Sequence, residues 1–148
     1  MDISYYFLKY GKEIFIYLRN LVGEEELAKD LLQETFIKAM RYSLREETAK
    51  TYLYRIAHSL AMDYLRKNSR FVDVDYDGFY ESPEKLAEYE DIWRILSPIE
   101  RSILTLYYKM GYSYKEISEK LNIPVNTVKS HIYRGKKKIY NYFKEEDK

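Results

Sequence analysis

The 148-residue chain contains no cysteine. That excludes a disulfide framework, a Cys-ligated zinc or iron–sulfur site, and a thiol nucleophile. Histidine is nearly absent too: His58 and His131 are too few for a His-based metal cage. No run of about 18 apolar residues occurs, so no membrane insertion is expected. The first residues, Met1 to Lys12, lack the apolar core of a signal peptide, and a cytoplasmic location follows as the expectation. No phosphate-cradling G-x-x-x-x-G-K-[ST] loop is present. Glycine and proline are scarce, at 5 and 3. With so few breakers, and apolar residues recurring at i, i+3 and i+4, the expected fold is all-α. The apolar fraction, 46%, suits a globular chain rather than a disordered one. What is abundant is tyrosine, 18 in all.

The net charge of +1 hides a segregated pattern. Residues 1–49 are net −2, residues 50–70 net +4, residues 71–91 net −7, and residues 92–148 net +6. Two basic segments flanking an acidic one fit a bipartite binder of polyanions, although a charge run is also what an ordinary solvated surface looks like.

Apolar periodicity divides the chain. Ile3, Tyr6, Phe7, Tyr10, Ile14, Tyr17, Leu18 and Leu21 form one helical stripe, and Gly23 is a natural stop. Glu24, Glu25 and Glu26 suit the positive end of a second helix. It runs to about Arg41 and is expected to bury Leu27, Leu31, Phe36 and Met40. A polar loop over 42–50 precedes a third helix, from about Thr51 to Lys67, with Leu53, Ile56, Ala57, Leu60, Tyr64 and Leu65 at helical spacing. From Asn68 to Ser82 no period is sustained. Pro83 can open a helix continuing through Trp93 to Leu96, and Ser97-Pro98 marks a fresh start that Gly111 ends. The expected architecture is two small helical domains, 1–68 and 90–148, joined by an acidic linker over 69–89.

Ser113-Tyr114-Lys115-Glu116 is a capping box. A short helix with Ile117 and Leu121 follows, then a turn at Asn122-Ile123-Pro124, then a helix to about Phe143. This is a helix-turn-helix, whose second helix enters the DNA major groove. At 100° per residue, Val125, Val128, Ile132, Gly135 and Ile139 face inward. Asn126, Ser130, Tyr133, Arg134 and Lys137 face outward, with Thr127 and Lys129 flanking. Between Asn126 and Lys144 stand six Lys or Arg and no acid. Such a face suits base edges and phosphates; an amphipathic terminal helix with a charged face is the plainer alternative.

The run Leu96-Ser97-Pro98-Ile99-Glu100-Arg101-Ser102-Ile103-Leu104, with Tyr112-Ser113-Tyr114-Lys115-Glu116-Ile117 and Thr127-Val128-Lys129-Ser130-His131-Ile132-Tyr133-Arg134, resembles region 4 of bacterial sigma factors of the extracytoplasmic-function (ECF) class. Asp30-Leu31-Leu32-Gln33-Glu34-Thr35-Phe36 resembles region 2.2 of that class. Tyr52-Leu53-Tyr54-Arg55-Ile56-Ala57 and Asp63-Tyr64-Leu65-Arg66 resemble regions 2.3 and 2.4. The resemblance implies region 2 over 1–68 and region 4 over 90–148. It also implies partners: the RNA polymerase core, through the β′ clamp helices and the β flap, promoter DNA, and an anti-sigma factor. It implies no cofactor, no catalysis, and neither a region 1.1 nor a region 3 domain.

By the same resemblance, Asp30, Gln33 and Glu34 dock on the polymerase, where carboxylates and an amide can pair with Arg on a partner helix. Tyr52, Arg55, His58, Ser59 and Arg66 hold the −10 element, and the loop from Tyr42 to Thr51 captures an unstacked base. For His58 a plain surface-helix position stays open. Asn126, Thr127, Lys129, Ser130, Tyr133, Arg134, Lys136 and Lys137 read the −35 element, Ser130 and Tyr133 nearer bases, Arg134, Lys136 and Lys137 nearer phosphates. The chain departs from the family at Lys29, where an acid is frequent, at Tyr52 for Trp, and at Ser59 for Asn. Gly135 stands for a frequent Ala, a small loosening of the helix. About 22 linker residues reach at most ~75 Å. Promoter elements about 16–17 bp apart are separated by roughly 55 Å, which that linker can span.

Two other readings stand beside this one. A conventional helix-turn-helix regulator needs only the C-terminal half and usually dimerises on a two-fold site. A metal-dependent hydrolase could use the i/i+4 pair Asp30 and Glu34, but no converging His or further carboxylate cluster completes its site.

Overall fold

A computed structural model describes residues 2–68 and 93–146, and all regular structure among them is helical. Helix α1 (Ile3–Val22) is opened by Asp2, whose carboxylate accepts from the Tyr5 N–H at 3.2 Å. It is closed by Gly23, left-handed at φ 77°, whose N–H donates to the Arg19 carbonyl. Helix α2 (Glu25–Ala39) carries Glu25 and Glu26 in its first turn. Helix α3 (Ala49–Lys67) starts slightly before the sequence pattern indicates, its Ala49 N–H donating to Arg45 O at 2.7 Å. The three helices enclose Tyr6, Ile14, Tyr17, Leu18, Leu21, Ala28, Leu31, Phe36, Leu53, Ala57, Leu60 and Leu65, all buried. Met40 is not among them. It caps α2 on its outward side and is 63% exposed, and Leu27 is only half-buried.

In the second half, Ser97 caps α4 (Pro98–Leu104) and forms a reciprocal box with Glu100. Glu100 is buried and accepts from Lys138 Nζ at 2.8 Å, which ties α4 to the last helix. The end of α4 widens into a π-turn (Thr105–Lys109), closed by the Met110 N–H donating to Thr105 O. Gly111, at φ 79°, turns the chain back. Helix α5 (Tyr114–Leu121) has the expected Ser113/Glu116 box, and Asn122 ends it in the left-handed conformation at φ 58°. Helix α6 (Val125–Glu146) completes the helix-turn-helix. Val128, Ile132 and Gly135 are buried as its pattern requires, while Val125 and Ile139 are half-buried at the edge. The helix expected from Pro83 falls mostly outside the described residues; Trp93 and Arg94 are helical.

The two halves do not stand apart. α1 and α3 pack against α4, the π-turn and α5, and one continuous core runs through both halves. The Trp93 indole N–H donates to Asn20 O at 2.8 Å, and Arg101 Nη1 donates to Leu21 O at 3.3 Å.

Gly135 holds a close approach rather than loosening its helix. A Cβ built there meets Leu104 Cδ1 at 2.7 Å and Leu104 Cγ at 3.4 Å, and Leu104 is buried. Gly135→Ala gains about 0.8–1 kcal/mol of helix propensity and incurs about 1–3 kcal/mol of overpacking. A net loss of about 1 kcal/mol is expected, read as a lower urea midpoint; a stabilised variant refutes the steric account.

Candidate nucleic-acid and partner interface

Three surfaces gather the residues singled out in the sequence. The first is the outer face of α2. Asp30, Gln33 and Glu34 are all exposed there on successive turns. The same stripe continues one turn on to Ile37, an apolar side chain 60% exposed to water. Its i+7 spacing from Asp30 sets it in line with the acids, so the stripe is polar around an apolar knob. Sequence reasoning passed over Ile37; its position opposite the buried Ala28, Thr35 and Ala39 is the signal that finds it.

The second surface lies where α3 meets the loop that follows α2. A concave site of about 350 Å³ is lined by Lys38, Tyr42, Tyr52, Arg55, Ile56, Ser59 and Leu60. Tyr42 and Tyr52 are exposed aromatics, and the Arg55 guanidinium lies 5.7 Å from the Tyr52 ring centre. Stacking rings beside cations suit an unstacked base. The loop is held from below. Tyr5 donates to Glu46 at 3.1 Å, Lys9 pairs with the same carboxylate, and Tyr6 donates to Leu44 O. Ser59 is exposed beside the cleft, while Arg66 lies on α3 far along the helix, bonded to Asp63 at 3.2 Å.

Arg55 and His58 have a second engagement. Arg55 Nε donates to Glu119 O, in α5, at 2.9 Å. His58 Nδ1 lies 3.0 Å from Ser102 Oγ and 3.0 Å from the Tyr17 hydroxyl, and those two hydroxyls are 2.7 Å apart. His58 is neither a plain surface residue nor a free DNA contact in this arrangement; it sits between the halves. Burial lowers its pKa to about 4.

The third surface is α6. Asn126, Lys129, Ser130, Tyr133, Arg134, Lys136 and Lys137 are exposed, and Thr127 is half-buried. The Ser130 hydroxyl donates to Asn126 O at 3.0 Å, which leaves its oxygen as an acceptor toward solvent. Farther along, Tyr114, Lys129, Ile132, Tyr133, Lys136, Lys137, Tyr140 and Asn141 line an open groove of about 600 Å³. Tyr140 extends the basic, aromatic stripe one turn past the residues chosen from sequence. Among the described residues no group of three or more metal-ligating side chains occurs, and no helix is long and apolar enough to cross a membrane.

Family models divide the chain in the same way: Sigma-70 region 2 matches residues 6–71, and Sigma-70, region 4 matches residues 87–139. The ECF RNA polymerase sigma-E factor of Escherichia coli K12 is 37% identical over 136 residues, spanning 76% of this chain and 71% of that one. The chain belongs to the ECF sigma factors. The ECF RNA polymerase sigma factor SigM of Bacillus subtilis is 28% identical over 152 residues, covering 94% of this chain and 93% of its own. The fold matches that of the sigma factor RpoE of Bartonella quintana, solved in complex with the anti-sigma factor NepR. The TM-score is 0.66 and the identity 21%, over 95% of this chain and 96% of that one. Within this ECF factor, α2 and α3 therefore lie in region 2, and the helix-turn-helix lies in region 4.

The buried imidazole sets a pH dependence. Folding keeps the His58 ring neutral, so its contribution to stability is fully present above the ordinary value of 6.5. It is lost as pH falls from there towards 4. His131 is lowered as well, by burial and then by Arg134, and acts in the same direction. His58→Gln is expected to flatten the fall in urea midpoint between pH 7 and 5 relative to the parent protein. An unchanged slope refutes the assignment.

Proposed function

We propose that this ECF sigma factor directs RNA polymerase core to two-part promoters and helps to melt them, with each of the three surfaces serving one partner. Region 2 docks on the β′ clamp helices through Asp30, Gln33 and Glu34, with Ile37 filling an apolar recess one turn farther along that stripe. Apolar anchors ringed by polar groups carry most of the energy of such interfaces. Region 4 sits near the β flap and presents α6 to the −35 element. Asn126, Ser130 and Tyr133 reach base edges, with Thr127 and Lys129 flanking, while Arg134, Lys136 and Lys137 neutralise phosphates.

The −10 element meets the cleft between Tyr42 and Tyr52. Melting follows from capture. A base flipped out of the stack loses pairing energy, and stacking on a tyrosine returns about 1–3 kcal/mol. Tyr42, Tyr52, Arg55 and Ser59 supply that platform, with His58 and Arg66 on the same helix. No nucleotide hydrolysis is required. An anti-sigma factor is a further partner, as it is for the Bartonella protein.

The observation that carries the reading is the coexistence, in one chain, of an aromatic, cationic cleft and a separate acid-free recognition helix. A conventional helix-turn-helix regulator needs only the second.

The test is run-off transcription with purified bacterial core polymerase and a promoter library, the protein added or omitted. Protein-dependent transcripts sharing a two-part upstream element are expected. Specific duplex binding without any transcript, from a core enzyme active with another sigma factor, would mark a conventional regulator instead. Ile37→Asp is expected to weaken binding to core polymerase at least tenfold while leaving the thermal midpoint unchanged, because the side chain is solvent-facing. Wild-type affinity in that variant removes Ile37 from the interface.

A further inference from the structure

The loop between α2 and α3 carries Tyr42, and its middle is not held by its own backbone. Among the described residues, no backbone N–H from Ser43 to Glu47 donates to a backbone carbonyl. Packing does not fix Tyr42 either. It lines the cleft of about 350 Å³ on one side and borders a second concavity of about 450 Å³, shared with Tyr6, Met40 and Leu44. The residue is 62% exposed. A side chain with open space on two sides lacks the close-packed neighbours that would choose its place.

What grips the loop comes from one face of α1. Tyr5, Tyr6 and Lys9 stand there at i, i+1 and i+4. The Tyr5 hydroxyl donates to Glu46 Oε1 at 3.1 Å, and Lys9 Nζ pairs with the same oxygen. Lys9 Nζ also donates to the Tyr5 hydroxyl at 3.4 Å, and the Tyr6 hydroxyl donates to Leu44 O at 3.4 Å. The other carboxylate oxygen, Glu46 Oε2, is enclosed and has no hydrogen-bond partner among the described residues. Glu46 therefore keeps its place only while Lys9 answers its charge. Without that partner the carboxylate gains by turning out to water, and the loop turns with it.

We propose that Lys9, Tyr5 and Glu46 are positioning residues for strand opening: they brace the loop so that Tyr42 stands at the cleft that receives the unstacked base. The proposal rests on the sigma reading above and deepens it at the −10 site. None of the three side chains has an assigned contact with DNA or polymerase. Duplex recognition through α6 and docking through α2 do not pass through the brace, so its effect falls on the capture step. Unbraced, Tyr42 divides its time between the two concavities, and capture slows by the fraction of loops out of place.

The test uses holoenzyme assembled from purified bacterial core polymerase and a promoter found by run-off transcription. The promoter carries 2-aminopurine at successive positions of the −10 element, and fluorescence reports each base as it unstacks. Lys9→Glu and Glu46→Lys are each expected to slow unstacking about fivefold. Affinity for core and for −35 duplex should stay at the parental value. The variant carrying both substitutions restores an ion pair and should recover most of the rate. Tyr5→Phe, which changes no charge, should slow the step about twofold.

Attraction to phosphates alone gives a different pattern, in which Glu46→Lys speeds the step and Lys9→Glu slows it. Those opposite signs overturn the brace. Parental rates in both single variants, or a double variant that recovers nothing, also overturn it and leave the sigma reading standing. Should a charge variant fail to fold, Tyr5→Phe decides, and a parental rate there refutes the brace. If the unmodified protein programs no transcription, the sigma reading falls and the brace with it.

Discussion

The hydroxyl of Tyr17 must find a partner. Its ring is sealed in the region 2 core and the whole residue is inaccessible to water. Burying a hydroxyl unpaired costs about 1–3 kcal/mol. Among the described residues, region 2 offers one partner, His58, itself half-buried. The second comes from Ser102, on the far side of the chain's midpoint, and Ser102 is equally inaccessible. The polar centre of the molecule is thus complete only when α4 lies against α1 and α3. Burial also pushes the Tyr17 phenol well above its ordinary pKa, so it stays a neutral donor. The relative placement of the α3 cleft and of α6 follows in part from where α4 is thereby pinned.

Glu13 repeats the logic at the other edge of the boundary. One carboxylate oxygen receives two phenols, one from each half, and Lys50 stands 3.9 Å from the other oxygen. The π-turn makes this reachable. By widening the end of α4 it lets Gly111 reverse the chain so that Tyr112, its N–H donating to Leu106 O, points back at region 2. Burial, and then Lys50, lower the pKa of the Lys120 ammonium. These polar contacts line the edge of a boundary whose interior is the continuous apolar core joining both halves. On separation its hydroxyls and charges regain water, and each exchanged hydrogen bond changes the balance by only about 0.5–1.5 kcal/mol.

Features set by neighbours close in the chain could be read from sequence. Gly23, Gly111 and Asn122 end their helices because each takes a left-handed turn that the residue type favours. The Ser113/Glu116 box and the inward face of α6 follow from fixed spacings. Features set by distant neighbours could not. Met40 matched the apolar period of α2, yet the helix ends before it and its side chain turns outward. Gly135 read as a loosening because nothing local reveals Leu104 pressed against it. His58 and Arg55 lie on the exposed arc of an isolated α3; only contacts 44 and 64 residues away show them engaged. Ile37 was visible in principle, as an apolar residue on a polar stripe, but core periodicity draws attention to the opposite face.

The α3 and α6 surfaces are consequently unequal. On α6 the polar and basic side chains face water, while on α3 Arg55 and His58 are held by the other half. Charge adds to the asymmetry. The segment 92–148 is net +6, and its outward helix carries cations with no acid between Asn126 and Lys144. Electrostatic attraction to phosphates acts over about a Debye length, ~8–10 Å at physiological salt, and needs no prior opening. Stacking of a flipped base needs direct contact with a freed platform.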